Sequence, residues 1–535
     1  MISVLIHSYE LQADNNYVRD DSKLNVPRDV RREFIVKETS SSGVTQQVIS
    51  IDKKKRLVIM ISLLVGTFFA IMNETLLNIA LPELTVELAV PATTLQWLSA
   101  SYLLVIGVLV PASALIIQWF TTRQLFLCAL LLFGIGTLIC ALAPGFPVMM
   151  VGRIFQAVAA GLMLPVLINT IVVLYPPEER GAAMGMVGLI IMFAPTLGPA
   201  LSGLILDTLS WRWLFLIVLP FIVISFFVAY RYLVNVSEIT RPKIDLLSIL
   251  LSTIGFGGIV FGFSTAGEGH GGWTSPMVYF SLGIGSLSLL LFVLRQLRSK
   301  EPMLDMRTFR FPMFTITAIM MVILMMTLFS SMLLLPFLLK GALGLTALTT
   351  GLILLPGGLL NGLLSPLTGK WFDKYGPRVL IIPGAALLTV VIWLFTRITL
   401  DTSVTFIVIL YILLMGSLAF IFTPVYTNGL NALPERYYSH GNAILTTFEQ
   451  VSGAIGVALF ISLMSSGERS YLVKSLNPEA AGEKAQALLS GVNASFTVGL
   501  GFAALTLILT LFTKKAIAPE ELPAESSTES LSKPL

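Results

Sequence analysis

PLTGKWFDKYGPRVL, residues 366–380, returns in altered form as PASALIIQWFTTRQL at residues 111–125. The two align without a gap at an offset of 255 (366 minus 111), pairing Pro111 with Pro366, Trp119 with Lys374, Phe120 with Tyr375 and Arg123 with Arg378. Each copy closes one apolar stretch and turns through polar residues into the next. A chain that repeats such a unit at this separation reads as two similar halves.

Apolar stretches of about 20 residues are long enough to cross a bilayer as helices. Fourteen occur, approximately 57–80, 97–118, 124–143, 148–174, 182–206, 212–233, 245–265, 275–295, 312–338, 347–368, 378–396, 403–427, 441–465 and 493–513. The repeat pairs the second with the tenth. Stretches seven and eight are then an inserted pair between two sets of six. The expected organisation is a polar N-terminal segment (1–55), a six-helix bundle (56–235), the inserted pair (236–305), a second six-helix bundle (306–513) and a disordered tail (514–535). This is an all-α integral membrane protein with the parallel-repeat plan of transporters, whose substrate site lies between the halves.

Composition agrees. Of 535 residues, 55% are hydrophobic and 12% charged, which excludes a water-soluble globular domain of this size. Cys128 and Cys140 would lie about 18 Å apart along one helix, too far for a disulfide or a shared metal. The net charge of +4 is spread over loops, so no nucleic-acid surface is expected. Basic residues such as Lys53–Arg56, Arg123, Arg180, Arg241, Lys243, Arg295, Lys370, Lys374, Arg378 and Lys514 fall on one side of the fourteen-span scheme. The opposite loops hold few, among them Arg212, Lys340 and Arg397. The positive-inside rule then puts both termini in the cytoplasm. No signal peptide is expected, because residues 1–55 carry no apolar run before a small-residue cleavage site.

Polar residues inside the spans are the functional candidates, because burying them is costly. In IMNETLLNIALPEL (71–84), Glu74 falls roughly 25 Å from the start of its span, in the outer third of the hydrocarbon. Thr67, Glu74 and Asn78 are spaced by seven and four and would share one helix face lining a cavity; a hydrogen bond to a neighbouring helix is the structural alternative. Glu449 in TTFEQVSGAIG is a second intramembrane acid, with Gly453 and Gly456 on its face, open to a coupling or a structural reading. The methionine-rich MMVILMMTLFSSMLLLPF (320–337) can repack around apolar ligands or form core. Gln96, Trp97 and Tyr102 open span two and, with Asn73 and Gln156, are further cavity candidates, although interfacial anchoring alone explains Trp97.

The 366–378 pattern, Gly369, Asp373, Lys374, Gly376 and Arg378, resembles the loop motif of the major facilitator superfamily. GRIFQAVAAG (Arg153, Gln156, Gly161) is similar to that superfamily's span-four motif. APTLGPALSG (Pro195, Gly198, Pro199, Gly203) resembles its span-five antiporter motif. SWRWLFLIVLP and NETLLNIALP are similar to the fourteen-helix drug:proton antiporters of the EmrB/QacA type, and among them to the lincomycin-resistance-like branch.

The resemblance implies a major facilitator fold and a plasma-membrane exporter of amphipathic or cationic toxic compounds, lincosamides and dyes among them. It would be driven by the proton gradient, with no cofactor, acting as a monomer in the bilayer on small molecules and protons. Arg153 would face the cavity and couple to acidic groups; snorkelling to the outer interface is its bland alternative. The span-five motif would bar proton leak, or be a static kink. The loop motif would latch helix ends, with Asp373 capping the next helix or pairing with Arg378. Its first copy departs from the pattern at Ala114, Gln118 and Thr121, implying a weaker latch. Relatives often carry aspartate where this chain has Asn73, next to Glu74. The alternative function is proton-coupled export of one endogenous metabolite, peptide or lipid. A receptor, scaffold or enzyme leaves the motifs unexplained, and no phosphate-cradling ATP motif or metalloprotease motif occurs.

Overall fold

Continuous apolar composition leaves each span to satisfy its own backbone polar groups, and the helix does so. The computed structural model describes residues 53–175, 177–235, 245–266, 272–299, 302–475, 477 and 480–516. Expectations for residues 1–52, the connection 236–244 and the tail beyond 516 lie outside the described residues, as do those for Arg241, Lys243 and the Arg180 side chain.

Fourteen helices are long and apolar enough to cross a membrane, and no strand occurs among the described residues. They are α1 (Lys53–Leu76), α2 (Trp97–Trp119), α3 (Thr122–Ala141), α4 (Phe146–Leu174), α5 (Pro177–Thr208), α6 (Leu219–Tyr232, which makes its span, Trp213–Tyr232, together with the short turn before it) and α7 (Leu246–Ala266). The rest are α8 (Pro276–Arg298), α9 (Pro312–Pro336), α10 (Ala347–Tyr375), α11 (Arg378–Phe395), α12 (Val404–Leu430), α13 (Glu435–Leu472) and α14 (Ala481–Phe512). Alternation puts Lys53 and Thr513 at one end of the bundle, the terminal end; the other is the far end.

Boundaries differ from the apolar stretches for identifiable reasons. α1 stops at Leu76, residues 77–80 form a turn, and a short helix, Leu81–Glu87, begins with Pro82 in its first turn. Proline is well placed there because its missing N–H would be unpaired anyway. The expected α1 stretch to residue 80 is therefore too long, and Asn78 leaves the helical face of Thr67 and Glu74. Pro220 likewise begins α6 after a separate turn, Trp213–Leu216. α13 and α14 run past their apolar centres because hydropathy ends where side chains become polar, whereas a helix need not.

At the terminal end the repeat has a structural counterpart. Arg123 starts α3 and donates to the Tyr230 carbonyl near the end of α6 (2.6 Å). Arg378 starts α11 and donates to the Thr513 carbonyl just past α14 (2.7 Å). The paired arginines thus each tie a helix start to the end of the helix three further on.

The first six and last six helices meet along two seams. At α5/α10, a Cβ on Gly351 would lie 2.6 Å from the Pro199 carbonyl oxygen, and one on Gly203 would strike the Ala347 carbonyl. At α2/α13, a Cβ on Gly107 would lie 2.5 Å from the Val451 side chain. Only glycine permits such close backbone approach. Lys340, in the wide turn Phe337–Ala342 that ends α9, joins Glu83 across the far end (2.5 Å). α7 docks at that end too: Gln96 Nε2 donates to Ser264 Oγ (2.9 Å), and Ser462 Oγ donates to the Phe263 carbonyl.

Candidate functional site

Arg153 sits in α4 with no exposed surface, so its guanidinium depends wholly on protein partners. Its Nε donates to the Leu98 carbonyl (3.0 Å) and its Nη1 to the Asn73 side-chain and backbone oxygens and to Gln156 Oε1 (3.2 Å). The Tyr102 ring lies 4.2 Å from the guanidinium carbon, and the Tyr102 hydroxyl donates to the Ala70 carbonyl. Gln156 in turn donates to Thr137. Helices α1, α2, α3 and α4 are thereby joined through one buried cation. The snorkelling alternative for Arg153 does not hold.

Asn73, not Glu74, takes the arginine. One residue turns a helix by about 100°, so Glu74 points away from that contact and is half-buried. Among the described residues Glu74 makes no hydrogen bond or ion pair. It lies within electrostatic reach of both the Arg153 guanidinium and the Glu449 carboxylate. Glu449, also half-buried, is on α13, where the faces of Gly453 and Gly456 close on Phe329 and Met326 of α9. Two carboxylates and one fixed cation therefore share a field that a proton or a cationic ligand would alter.

The next residue, Thr75, is buried against α5. Pro199 lacks the N–H that would bond the Pro195 carbonyl one turn earlier. Thr75 Oγ1 donates to that carbonyl instead (3.1 Å). Gly198 makes room, because a Cβ there would strike Thr75 Oγ1. The span-five motif is thus clamped to α1 on one face, while Pro199 and Gly203 meet α10 on the other. Sequence reasoning missed Thr75: Pro199 announces an orphaned carbonyl but not the group that fills it.

Other expected positions separate from this cluster. Thr67 is buried on α1 with its hydroxyl unpaired among the described residues. Asn78 lies in the turn after α1 and accepts from Ser99. Gln96 and Trp97 face α7 rather than a cavity, Gln96 through Ser264 and Trp97 through the Phe261 ring at 6.1 Å. Met320, Met321, Met325, Met326 and Met332 are buried, so the methionine run is core. In the loop motif Gly376 has φ +78, a left-handed turn suited to glycine. Arg378 bonds Thr513, and among the described residues Asp373 neither pairs with it nor caps α11, whose cap position is Pro377. In the first copy Thr121 caps α3 through a reciprocal box with Gln124, a local gain absent from the second.

Residues 63–457 match the family model described as Major Facilitator Superfamily. The lincomycin resistance protein LmrB of Bacillus subtilis (strain 168) is 51% identical over 457 residues, 85% of this chain and 95% of that protein. The probable multidrug resistance protein EmrY of Escherichia coli (strain K12) is 26% identical over 411 residues, covering 76% and 80% of the two chains. Among solved structures, an inward-facing, unoccupied bacterial homologue of the lysosomal transporter Spinster superposes with a TM-score of 0.64 at 12% identity, over 86% of this chain and 98% of that one. This last likeness speaks to the fold alone. Fourteen membrane-crossing helices and a family match over most of them place the chain in the major facilitator superfamily, as a multi-pass membrane transporter akin to the lincomycin resistance proteins.

Proposed function

We propose that the protein exports amphipathic or cationic toxic compounds, lincosamides and dyes among them, in exchange for protons, by alternating access. It would work as a monomer in the plasma membrane with both termini cytoplasmic. The far end is then the outer face, and the α5/α10 seam at Gly203–Ala347 and the Glu83–Lys340 ion pair close the path to the outside. The observation that carries this reading is Glu74: a half-buried carboxylate, unpaired among the described residues, beside a fixed cation and facing a second acid's field. Similarity to drug-resistance proteins along nearly their whole length supports the substrate class.

In this scheme Glu74 holds either a proton or the substrate. Arg153, paired with no carboxylate among the described residues, keeps a positive potential beside it, and Glu449 supplies an opposing one. Exchange follows only if the two occupants favour different facing states. The test is efflux of lincomycin and ethidium from cells or vesicles, before and after an ionophore collapses the proton gradient. Loss of efflux on collapse, and a large reduction in Glu74→Gln at normal membrane levels, are the expected results. Efflux that survives collapse overturns the coupling. Absence of any drug flux from the wild type points instead to export of one endogenous metabolite, peptide or lipid.

A further inference from the structure

Asn73, Glu74 and Thr75 leave α1 in three directions about 100° apart. Asn73 is fastened to Arg153 on α4, and Thr75 is fastened to the Pro195 carbonyl on α5. Glu74 stands between these two anchors. We propose that Thr75 is a positioning residue for transport: its hydroxyl, bonded to the α5 carbonyl that Pro199 leaves open, transmits the state of Glu74 to the α5/α10 seam. The inference rests on the exporter reading above and names the next link in it.

The physical steps are short. A proton or a cation arriving at Glu74 changes the field between Arg153 and Glu449 and with it the preferred position of the 73–75 backbone. Asn73 resists, because its partner is locked by Leu98, Gln156 and Tyr102. The displacement therefore falls on Thr75. Its donor can follow only by moving the Pro195 carbonyl or by leaving it for the Met72 carbonyl of its own helix, 3.3 Å away. Pro195 is one turn from Pro199 and two from Gly203, and these are the residues whose backbone touches Gly351 and Ala347 of α10. An ordinary helix would hold the Pro195 carbonyl within itself and be deaf to α1. The proline turns the bond into one between two helices of the chain, and Gly198 keeps the path clear for it.

The experiment places a reporter cysteine at Leu348, half-buried where α10 meets Gly203, in a chain whose Cys128 and Cys140 are replaced by alanine. Labelling by a membrane-impermeant maleimide reads opening of the far end. Thr75→Val, which keeps shape but loses the donor, is expected to change the resting labelling rate about fivefold and to lose the response to lincomycin that the parent shows, with maximal efflux down about five- to tenfold and KM within about twofold. Thr75→Ser is expected to restore all three. Gly198→Ala, which pushes a methyl onto the Thr75 hydroxyl, is expected to alter labelling likewise, and to add nothing in a Thr75→Ala background; it carries the test where Thr75→Val does not reach the membrane.

Parental labelling in Thr75→Val overturns the proposal, as does a loss of efflux with the lincomycin response intact, which would make Thr75 a packing residue only. If the wild type exports neither lincomycin nor ethidium, the exporter reading falls, while the resting labelling of Thr75→Val against Thr75→Ser still decides whether Thr75 controls the seam.

Discussion

Asn73 meets Arg153 with both of its oxygens, so a neutral amide, not a carboxylate, is the direct partner of the buried guanidinium. One guanidinium nitrogen and the Asn73 amide nitrogen remain unpaired among the described residues. Asn73→Leu strips an acceptor from a buried charge and is expected to destabilise the protein by about 2–4 kcal/mol. Asn73→Asp supplies a charged acceptor at the same place and is expected to be tolerated. Thermal unfolding of the purified variants, with cells scored for efflux, separates the two. A leucine variant as stable as the wild type would show that Arg153 draws its support from elsewhere.

Lys340 and Glu83 join the last six helices to the first six at the far end, with side chains 20% and 35% exposed. A pair this open is worth about 0.5–1 kcal/mol. Either Lys340→Glu or Glu83→Lys is expected to favour the far-open state and lower efflux about two- to fivefold, and the double exchange is expected to recover most of it. Efflux from the three variants, compared at equal membrane levels, is the measurement. Additive losses in the double variant would mean that the two residues act separately.

The spans, their number and the repeated loop could be read from the sequence because each depends on local composition. The partners could not. Glu74 and Asn73 are adjacent letters, and only the rotation of α1 against α4 decides which takes Arg153. Gln96 and Trp97 read as cavity residues because they open a span, but α7 covers them, and nothing in the α2 sequence announces that neighbour. Asp373 and Arg378 sit at a spacing that suits an ion pair. The nearest acceptor to Arg378 is instead the Thr513 carbonyl, a backbone atom that any residue would supply. The methionine run looked the same as core or as ligand surface until burial chose core.

The α5/α10 seam is set by backbone touching backbone, which side-chain truncation cannot relieve. Gly351→Leu forces the helices apart at the Pro199 carbonyl, and over-packing of this kind costs about 1–3 kcal/mol. The cost falls on the state in which the seam is closed. Efflux is therefore expected to drop at least tenfold while the protein still reaches the membrane, and the Leu348 reporter cysteine is expected to label faster than in the parent. Slower labelling would place the strain in the open state instead.

Asp245 precedes α7 and holds α7 to α8 at the terminal end. Its carboxylate accepts from Arg295 Nε (3.0 Å) and Nη2 (2.9 Å) and from the Ser248 hydroxyl and backbone N–H. The bonds from Arg295, more than any other contact, hold the carboxyl down at about 2 against an ordinary value of 3.8. Because the folded value lies below the unfolded one, the contribution is complete above about pH 5 and is lost as pH falls through about 2. Both partners are partly exposed, so the effect is small. Asp245→Asn is expected to lower the unfolding temperature at pH 7 by on the order of 1–2 °C. The gap from the wild type should stay constant down to about pH 5 and then narrow steadily as pH falls through about 2. A gap undiminished at pH 2 would mean that the asparagine disturbs the α7 helix start itself, since protonation would already have removed most of what the charge supplies.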